Sequence, residues 1–258
     1  ADAAYRSRAK GHLAFLTQIV LVAAGLVLVV GRPAPGPLLG GMLVTDGYTR
    51  FFHLIFLACG MVTVIYAAAV YDREGEHHGE FYSLILFSLT GMMILAAASD
   101  LLSLFLGIET MSLALYVLVC GRRLSLASGE AALKYLLLGS FAAAVLVMGL
   151  ALLYGYAGGT GYDDLTAALA RGGRPWLLAA GFGLVLVGLG FKVAAVPFHM
   201  WTPDVYEGAP AHVTGFMATA VKAAAFSALL RFALLTATQL APVWFDLLAV
   251  LAVVTMTV

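Results

Sequence analysis

The sequence predicts an all-α membrane protein, a polytopic helix bundle of seven complete spans, part of an eighth, and one broken helix. Apolar residues make up 62% of the chain and charged residues 11%, against roughly a quarter charged in a soluble domain. Apolar runs long enough to cross a hydrocarbon core about 30 Å thick recur along the chain. Since backbone groups in lipid must be hydrogen-bonded within their own segment, these runs are expected to be helices.

The apolar runs form one transmembrane domain over residues 1–258. We predict spans at about 12–30, 51–70, 82–99, 101–120, 131–155, 176–207, 213–236 and 243–258, the last truncated. Only Ser99 and Asp100 join the third run to the fourth, and an Asp before an apolar run is a good N-cap, so a tight helical hairpin is expected. The Gly-rich stretches 31–41 and 157–161 are predicted to be turns. Because the sequence begins with Ala and stops inside an apolar run, we expect a fragment of a longer protein.

The sixth run, Trp176–Glu207, has 32 residues, more than the roughly 20 that a span needs. It contains, in order, Gly188, Gly190, Lys192, Pro197 and Pro203. Proline disrupts a helix interior, and broken helices at membrane depth persist where they line a cavity or an ion path. The alternative is a 22-residue helix that ends at Pro197, followed by an interfacial stretch with Trp201 and Tyr206. The residues alone favour neither.

Charged side chains inside the apolar runs are the strongest functional signal. The chain has four lysines, and Lys134, Lys192 and Lys222 fall within predicted spans, as does Glu109. Each charge at the bilayer centre costs roughly 2.5–3.5 kcal/mol on an insertion scale, so such residues usually pair or face water. Glu109 and Lys222 lie near the middle of their runs. Lys134 is only the fourth residue of its run, so it has the alternative of reaching the membrane surface.

A buried lysine whose carboxylate partner approaches or withdraws changes its proton affinity, so such a pair can load and release protons. Three lysines and one glutamate on four spans fit a proton relay better than a site for an organic substrate. The alternative for Glu109 is a protonated side chain that bonds a neighbouring helix. Polar side chains that could extend the relay through water are Tyr135, His199, His212, Thr214 and Thr219.

Other classes of function are disfavoured. The net charge is zero, so no basic surface is available to neutralise nucleic-acid phosphates. Cys59 and Cys120 fall in or beside apolar runs and are expected to pack there, and the loop 72–80 lacks the ligand spacing of a metal site. Arg231 and His53 are interpreted as interfacial side chains. The distribution of Lys and Arg favours a cytoplasmic location for the N-terminal face. Six of these residues are predicted on that face, Arg6, Arg8, Lys10, Arg73, Arg122 and Arg123, and four on the opposite face, Arg32, Arg50, Arg171 and Arg174.

Four segments resemble the antiporter-like N subunit of bacterial respiratory complex I. They are LLSLFLGIETMSLALYVL (101–118), EAALKYLLLGSF (130–141), GFKVAAVPFHMWTPDVYEGAP (190–210) and ATAVKAAAFSALLR (218–231). The third is the most specific, because the related L and M subunits differ around its HxWxPD core. The resemblance implies a fourteen-helix fold with two inverted repeats, each with a broken helix, of which this chain would hold the second to ninth helices.

The same resemblance implies the roles of the charges. Glu109 takes the place of the family's essential glutamate, Lys192 that of the lysine on the broken helix, and Lys134 and Lys222 those of lysines on neighbouring helices. It implies a proton-translocating subunit of NADH:quinone oxidoreductase in the bacterial inner membrane, without cofactors in this chain. NADH, FMN, iron–sulfur clusters and quinone are expected in partner subunits, and M-type and small membrane subunits and lipids as partners. A subunit of a cation/proton antiporter and a purely structural subunit remain alternatives.

Overall fold

The computed structural model of the protein describes residues 11–31, 34–74, 78–122 and 124–257, and within these ranges the side chains of all residues except 11 and 235–243. Helices dominate the fold. They are α1 Gly11–Val30, α2 Gly47–Glu74, α3 Gly79–Ala97, α4 Leu101–Val119, α5 Leu126–Ala157, α6 Tyr162–Arg171, α7 Pro175–Val193, α8 Thr202–Gly208, α9 Ala211–Phe216 and α10 Lys222–Thr257, with a π-helical turn Met217–Val221 between the last two.

Seven helical stretches of the described chain are long and apolar enough to span a membrane, and a shorter apolar one covers Trp244–Thr257. The predicted all-α helix bundle is therefore confirmed. The last helix, α10, is not straight. The ring centroids of Phe232 and Trp244 are 6.1 Å apart, whereas twelve residues of straight helix would separate them by about 18 Å. Both rings also contact Phe182 on α7, so the two parts of α10 that carry them lie side by side.

Glycines allow α3 and α4 to approach closely. A Cβ on Gly91 would overlap the backbone of Met111, and one on Gly107 would overlap the backbone of Leu95. Close approach through small residues is a common way for membrane helices to associate. The hairpin between the two helices is tight, and the Asp100 carboxylate accepts a hydrogen bond from the Ser103 backbone N–H at 2.6 Å. The predicted N-cap is confirmed.

A β-hairpin and a short helix at one end of the bundle were not expected from the sequence. Within the Gly-rich stretch predicted as a turn, strands β1 Gly36–Leu38 and β2 Leu43–Thr45 form an antiparallel hairpin. The amphipathic helix α6 follows the second Gly-rich stretch. Backbone bonds link Tyr162 N to Ser99 O at 3.0 Å and Ser99 N to Met42 O at 3.0 Å. These bonds join β2, the α3–α4 link and α6 into one layer that covers this end of the bundle.

The sixth predicted span is broken, as expected. Helix α7 ends at Val193, Ala194 adopts a left-handed conformation with φ of 60°, and helix resumes only at Thr202 in α8. Carbonyls freed by the break are hydrogen-bonded within the protein. The Phe191 carbonyl accepts from the Trp201 indole N–H at 3.0 Å, and the Gly190 carbonyl accepts from the Ala195 backbone N–H at 2.9 Å.

Some sequence predictions fall on residues outside the described ranges. They concern Arg6, Arg8, Lys10, Arg32 and Arg123, which contribute to the predicted orientation, and residues 75–77 of the loop 72–80.

Candidate functional site

Lys192 lies in the last turn of α7, directly before the break, and is 3% exposed. Its Nζ donates a hydrogen bond to the Ser112 hydroxyl oxygen on α4 at 2.8 Å. The Ser112 hydroxyl in turn donates to the Ile108 carbonyl within its own helix. Because its single hydrogen is directed to that carbonyl, the serine oxygen is free to accept from the ammonium group.

Aromatic rings enclose the same ammonium group. Nζ of Lys192 lies 5.7 Å from the ring centroid of Tyr116, 5.6 Å from that of Tyr135 and 5.6 Å from that of Phe191. Ring faces at such distances attract a cation, most strongly where water is excluded. Trp201 completes the enclosure, because its indole stacks on Tyr135 at 4.9 Å and on Phe191 at 5.3 Å. Three aromatic side chains thus compensate part of the lost hydration, and Trp201 supports two of them.

Glu109 lies one helical turn before Ser112 on the same face of α4. Its Oε1 atom is buried and has no hydrogen-bond partner in the described structure. Glu109 interacts electrostatically with Lys192, although no ion pair of 4.0 Å or shorter joins these two described side chains. The serine hydroxyl therefore holds the lysine, and the carboxylate lies near without direct contact.

Lys222 begins α10, directly after the π-helical turn. Such turns inside α-helices are frequent at functional sites. Its Nζ lies 6.0 Å from the ring centroid of Tyr206 on α8. Ala220, Ala224 and Ala225 around it are buried, and such small side chains permit close packing of helices. Tyr206 packs edge-on against Trp201 at 5.9 Å, and a continuous group of aromatic rings therefore connects Lys222 to Lys192.

Lys134 is placed elsewhere. Its side chain is 42% exposed and forms ion pairs of 2.7 Å with Glu130 on its own helix and 2.7 Å with Asp204 on α8. The structure thus does not bring Lys134 to the buried group, in keeping with the alternative of a side chain that reaches the surface. The ion pair with Asp204 nevertheless connects α5 to the short helix beyond the break.

Only some of the side chains expected to extend the proton relay lie near the buried lysines. Tyr135 contacts Lys192, whereas the hydroxyls of Thr214 and Thr219 bond to backbone carbonyls at 3.0 Å and 2.8 Å. His212 lies against Tyr71, with Nε2 3.1 Å from its hydroxyl. The reading of Trp201 as an interfacial residue is wrong, because it is 3% exposed and occupies the centre of the ring group.

Sequence reasoning missed Ser112 and Tyr116. Both lie on the face of α4 that Glu109 presents, three and seven residues further along. A helical period of 3.6 residues places these positions on one stripe, so the spacing was a usable signal.

Arg231, interpreted from its position as an interfacial anchor, has a side chain that is 12% exposed and forms an ion pair. It is paired with Asp46, just before α2, through bonds of 3.0 and 3.1 Å, and donates to the Thr49 hydroxyl at 2.7 Å. Burial alone would raise the pKa of Asp46, but hydrogen bonds from Arg231 and Thr49 outweigh burial and hold that pKa below its ordinary value. His53 is partly buried, with Nε2 2.9 Å from the Met93 carbonyl.

A cavity of about 720 Å³ opens where α2 ends and α5 and α9 begin. His212 is 4% exposed and lies on its wall between the rings of Tyr71 and Phe81, at centroid distances of 5.2 and 5.1 Å. Glu74 and Arg122 also line the cavity. No cluster of three or more potential metal ligands occurs among the residues described.

Comparison with known proteins identifies the family. The family model described as "NADH:quinone oxidoreductase/Mrp antiporter, TM" matches residues 98–258. The NADH-quinone oxidoreductase subunit N of Trichlorobacter lovleyi is 44% identical over 254 residues, which are 98% of this chain and 52% of that protein. Subunit N 2 of Solibacter usitatus is 47% identical over 221 residues, 85% of this chain and 45% of that protein. The chain thus spans about half the length of these curated relatives.

Solved structures show the same relationship. A chain of respiratory complex I from Thermus thermophilus with bound aureothin is 40% identical, with a TM-score of 0.73 and coverage of 85% of this chain and 47% of that one. A chain of the Mrp complex from Dietzia sp. DQ12-45-1b, 23% identical with a TM-score of 0.73 over 85% of this chain and 25% of that one, shares the fold. The resemblance to N-type subunits is thereby confirmed, and the chain belongs to the family of membrane subunits shared by NADH:quinone oxidoreductases and Mrp antiporters.

Proposed function

We propose that this chain translocates protons as part of the N-type membrane subunit of an NADH:quinone oxidoreductase. The observation that carries the proposal is Lys192, a buried ammonium group at a helix break, held by Ser112 and close to Glu109. A charge this deep is costly in a membrane unless it has a task and a water-accessible path. Its position at the break is where a conformational change would move it most easily.

The proposed mechanism is a change of partner. With Lys192 bonded to Ser112, the Glu109 carboxylate is near but not paired. A conformational or electrostatic signal from a neighbouring subunit brings the carboxylate and the ammonium group together, and the lysine keeps its proton. When they separate, the desolvated ammonium group loses its partner and gives the proton to Lys222 through water and polar side chains.

Lys134 has a modulating role in this mechanism. Its ion pair with Asp204 attaches the start of α5 to α8, and α8 carries Tyr206 beside Lys222. A shift of α8 changes this exposed ion pair and the surroundings of Lys222 together. Exposed ion pairs contribute little to stability, so the role is one of adjustment.

The remaining parts of the proposal concern the assembly. The subunit lies in the bacterial inner membrane, with M-type and small membrane subunits and lipids as neighbours. NADH, FMN, iron–sulfur clusters and quinone bind in partner subunits, where the redox reaction takes place. This chain supplies no redox group and acts through its charges.

The proposal is tested with Lys192→Ala and Glu109→Gln in the assembled complex in inverted membrane vesicles. Proton uptake and NADH oxidation are followed in the same vesicles. We expect a sharp fall in protons moved per NADH in both variants, with normal amounts of assembled complex. Unchanged pumping in both variants would refute the assigned roles.

The two alternatives give different results. A subunit of a cation/proton antiporter would exchange sodium for protons in vesicles without NADH or quinone. A purely structural subunit would lose assembled complex in the Lys192→Ala variant, and whatever complex remained would pump normally. The motif TPDVYEGAP at 202–210 favours the oxidoreductase.

A further inference from the structure

Three buried tyrosine hydroxyls near the two lysines have no hydrogen-bond partner in the described protein, those of Tyr116, Tyr135 and Tyr206. The Thr202 hydroxyl and Glu109 Oε1 are also buried without a hydrogen-bond partner in the described protein. Buried polar groups are nearly always hydrogen-bonded, and a buried water typically has two to four polar partners. Five such atoms between α4, α5 and α8 provide the partners that ordered water requires.

The rings that carry these hydroxyls form a continuous path. Tyr116 packs edge-on against Tyr135 at 4.9 Å, Tyr135 stacks on Trp201 at 4.9 Å, and Trp201 meets Tyr206 at 5.9 Å. The path begins at Lys192, 5.6 Å from the Tyr135 ring, and ends at Lys222, 6.0 Å from the Tyr206 ring. Tyr135 also interacts electrostatically with Tyr116, Tyr206 and Glu109.

We propose that the hydroxyls of Tyr135 and Tyr206, connected by water, carry the proton from Lys192 to Lys222. This inference rests on the proposed function and adds two proton-carrying residues to it. Tyr135 is next to the first lysine and Tyr206 next to the second, and the indole of Trp201 fixes the spacing between them. The tyrosines therefore do more than shield the ammonium groups from lipid.

The transfer is balanced at each step. An N–H bond of the Lys192 ammonium group breaks, and its proton passes to water, which gives one of its own protons to the Tyr135 hydroxyl oxygen. That hydroxyl releases its original proton to the next water, and the same exchange occurs at Tyr206. The proton finally forms an N–H bond on the neutral amine of Lys222. Each tyrosine and each water ends with the protons it began with, and no oxidant or reductant is needed.

The experiment compares Tyr135→Phe, Tyr206→Phe and the double variant in the assembled complex in inverted vesicles. Phenylalanine keeps the ring and its stacking and removes only the hydroxyl. Tyr82→Phe is the matched control, because Tyr82 is 3% exposed and its hydroxyl also lacks a partner, but it lies on α3 outside the ring path. Protons moved per NADH, the NADH oxidation rate and the amount of assembled complex are measured together.

We expect each single variant to move fewer protons per NADH by about tenfold or more, since positioned proton-transfer groups have effects of this order or larger. The double variant should move about as many protons per NADH as the more impaired of the two single variants, because the two hydroxyls act in series. Tyr82→Phe should match the parent protein. Normal pumping by both Tyr135→Phe and Tyr206→Phe would overturn the inference, and so would an equal loss in Tyr82→Phe. If Lys192→Ala still abolishes pumping in that case, the proposed function stands without the tyrosines.

Discussion

Replacing Ser112 with alanine isolates the contact that holds Lys192. The variant removes the oxygen that accepts from Nζ at 2.8 Å and leaves the rings around the ammonium group in place. A hydrogen bond to a charged group contributes roughly 1.5–3 kcal/mol. Because each 1.4 kcal/mol is a factor of ten, the population in which the Lys192 side chain is held against α4 should fall by a factor of about 10 to 150 relative to its alternatives. The lysine is then no longer held near Glu109 at the start of the cycle, and pumping slows.

Ser128→Ala is the matched control. Ser128 is also fully buried, and its hydroxyl donates to the Val119 carbonyl at 2.8 Å. The assay is the initial rate of proton uptake divided by the rate of NADH oxidation in inverted vesicles, with assembled complex quantified on native gels. We expect Ser112→Ala to lose most pumping and Ser128→Ala to keep it. Equal pumping by the two variants would refute the role given to the Ser112–Lys192 bond.

Three further predictions concern the surroundings of the site. Lys134→Ala should lower pumping by no more than a few-fold, because its ion pairs are solvent-exposed, and vesicle assays at low and high salt should show a smaller difference at high salt. Gly107→Ala should reduce assembled complex on native gels, since its Cβ would overlap the Leu95 backbone, whereas Gly129→Ala meets nothing within 4 Å and should assemble normally. Asp46→Asn should lower the melting temperature of the complex in detergent at neutral pH. The folded pKa of Asp46 is depressed, so its contribution to stability is full above the unfolded pKa of about 3.9 and is lost as pH falls through the folded pKa. The melting temperatures of parent and variant should therefore converge in acid. A difference in melting temperature that stays constant with pH would contradict the assignment.

Much of the fold could be predicted from the sequence because the bilayer imposes a simple rule. Long apolar runs must be helices, and Asp100 and the Gly and Pro residues around Lys192 mark where helices begin and break. The hairpin at 36–45 and helix α6 were missed. They lie in connections between spans, where no long apolar run marks them, although the amphipathic pattern of α6 was a usable helical signal. Both elements are joined to the α3–α4 link by backbone hydrogen bonds.

The charged centre could be predicted only in part. A charge in an apolar run is costly for any lysine, so only depth in the run could separate the three. Lys134, the fourth residue of its run, kept the alternative of reaching the surface, and its side chain is 42% exposed. One of the two alternatives for the sixth span placed Trp201 at the interface, because aromatic residues near span ends usually lie there. Its burial depends on which helices surround it, and that is a property of tertiary packing.

Passage of a proton through Lys192 is tested most directly by the number of protons translocated per NADH oxidised in Lys192→Ala and Lys134→Ala complexes. The two variants lose the same side chain from buried and exposed positions. We expect Lys192→Ala to lose most translocation and Lys134→Ala to retain most of it, with assembly normal in both. Full translocation by Lys192→Ala would contradict the passage of a proton through this residue.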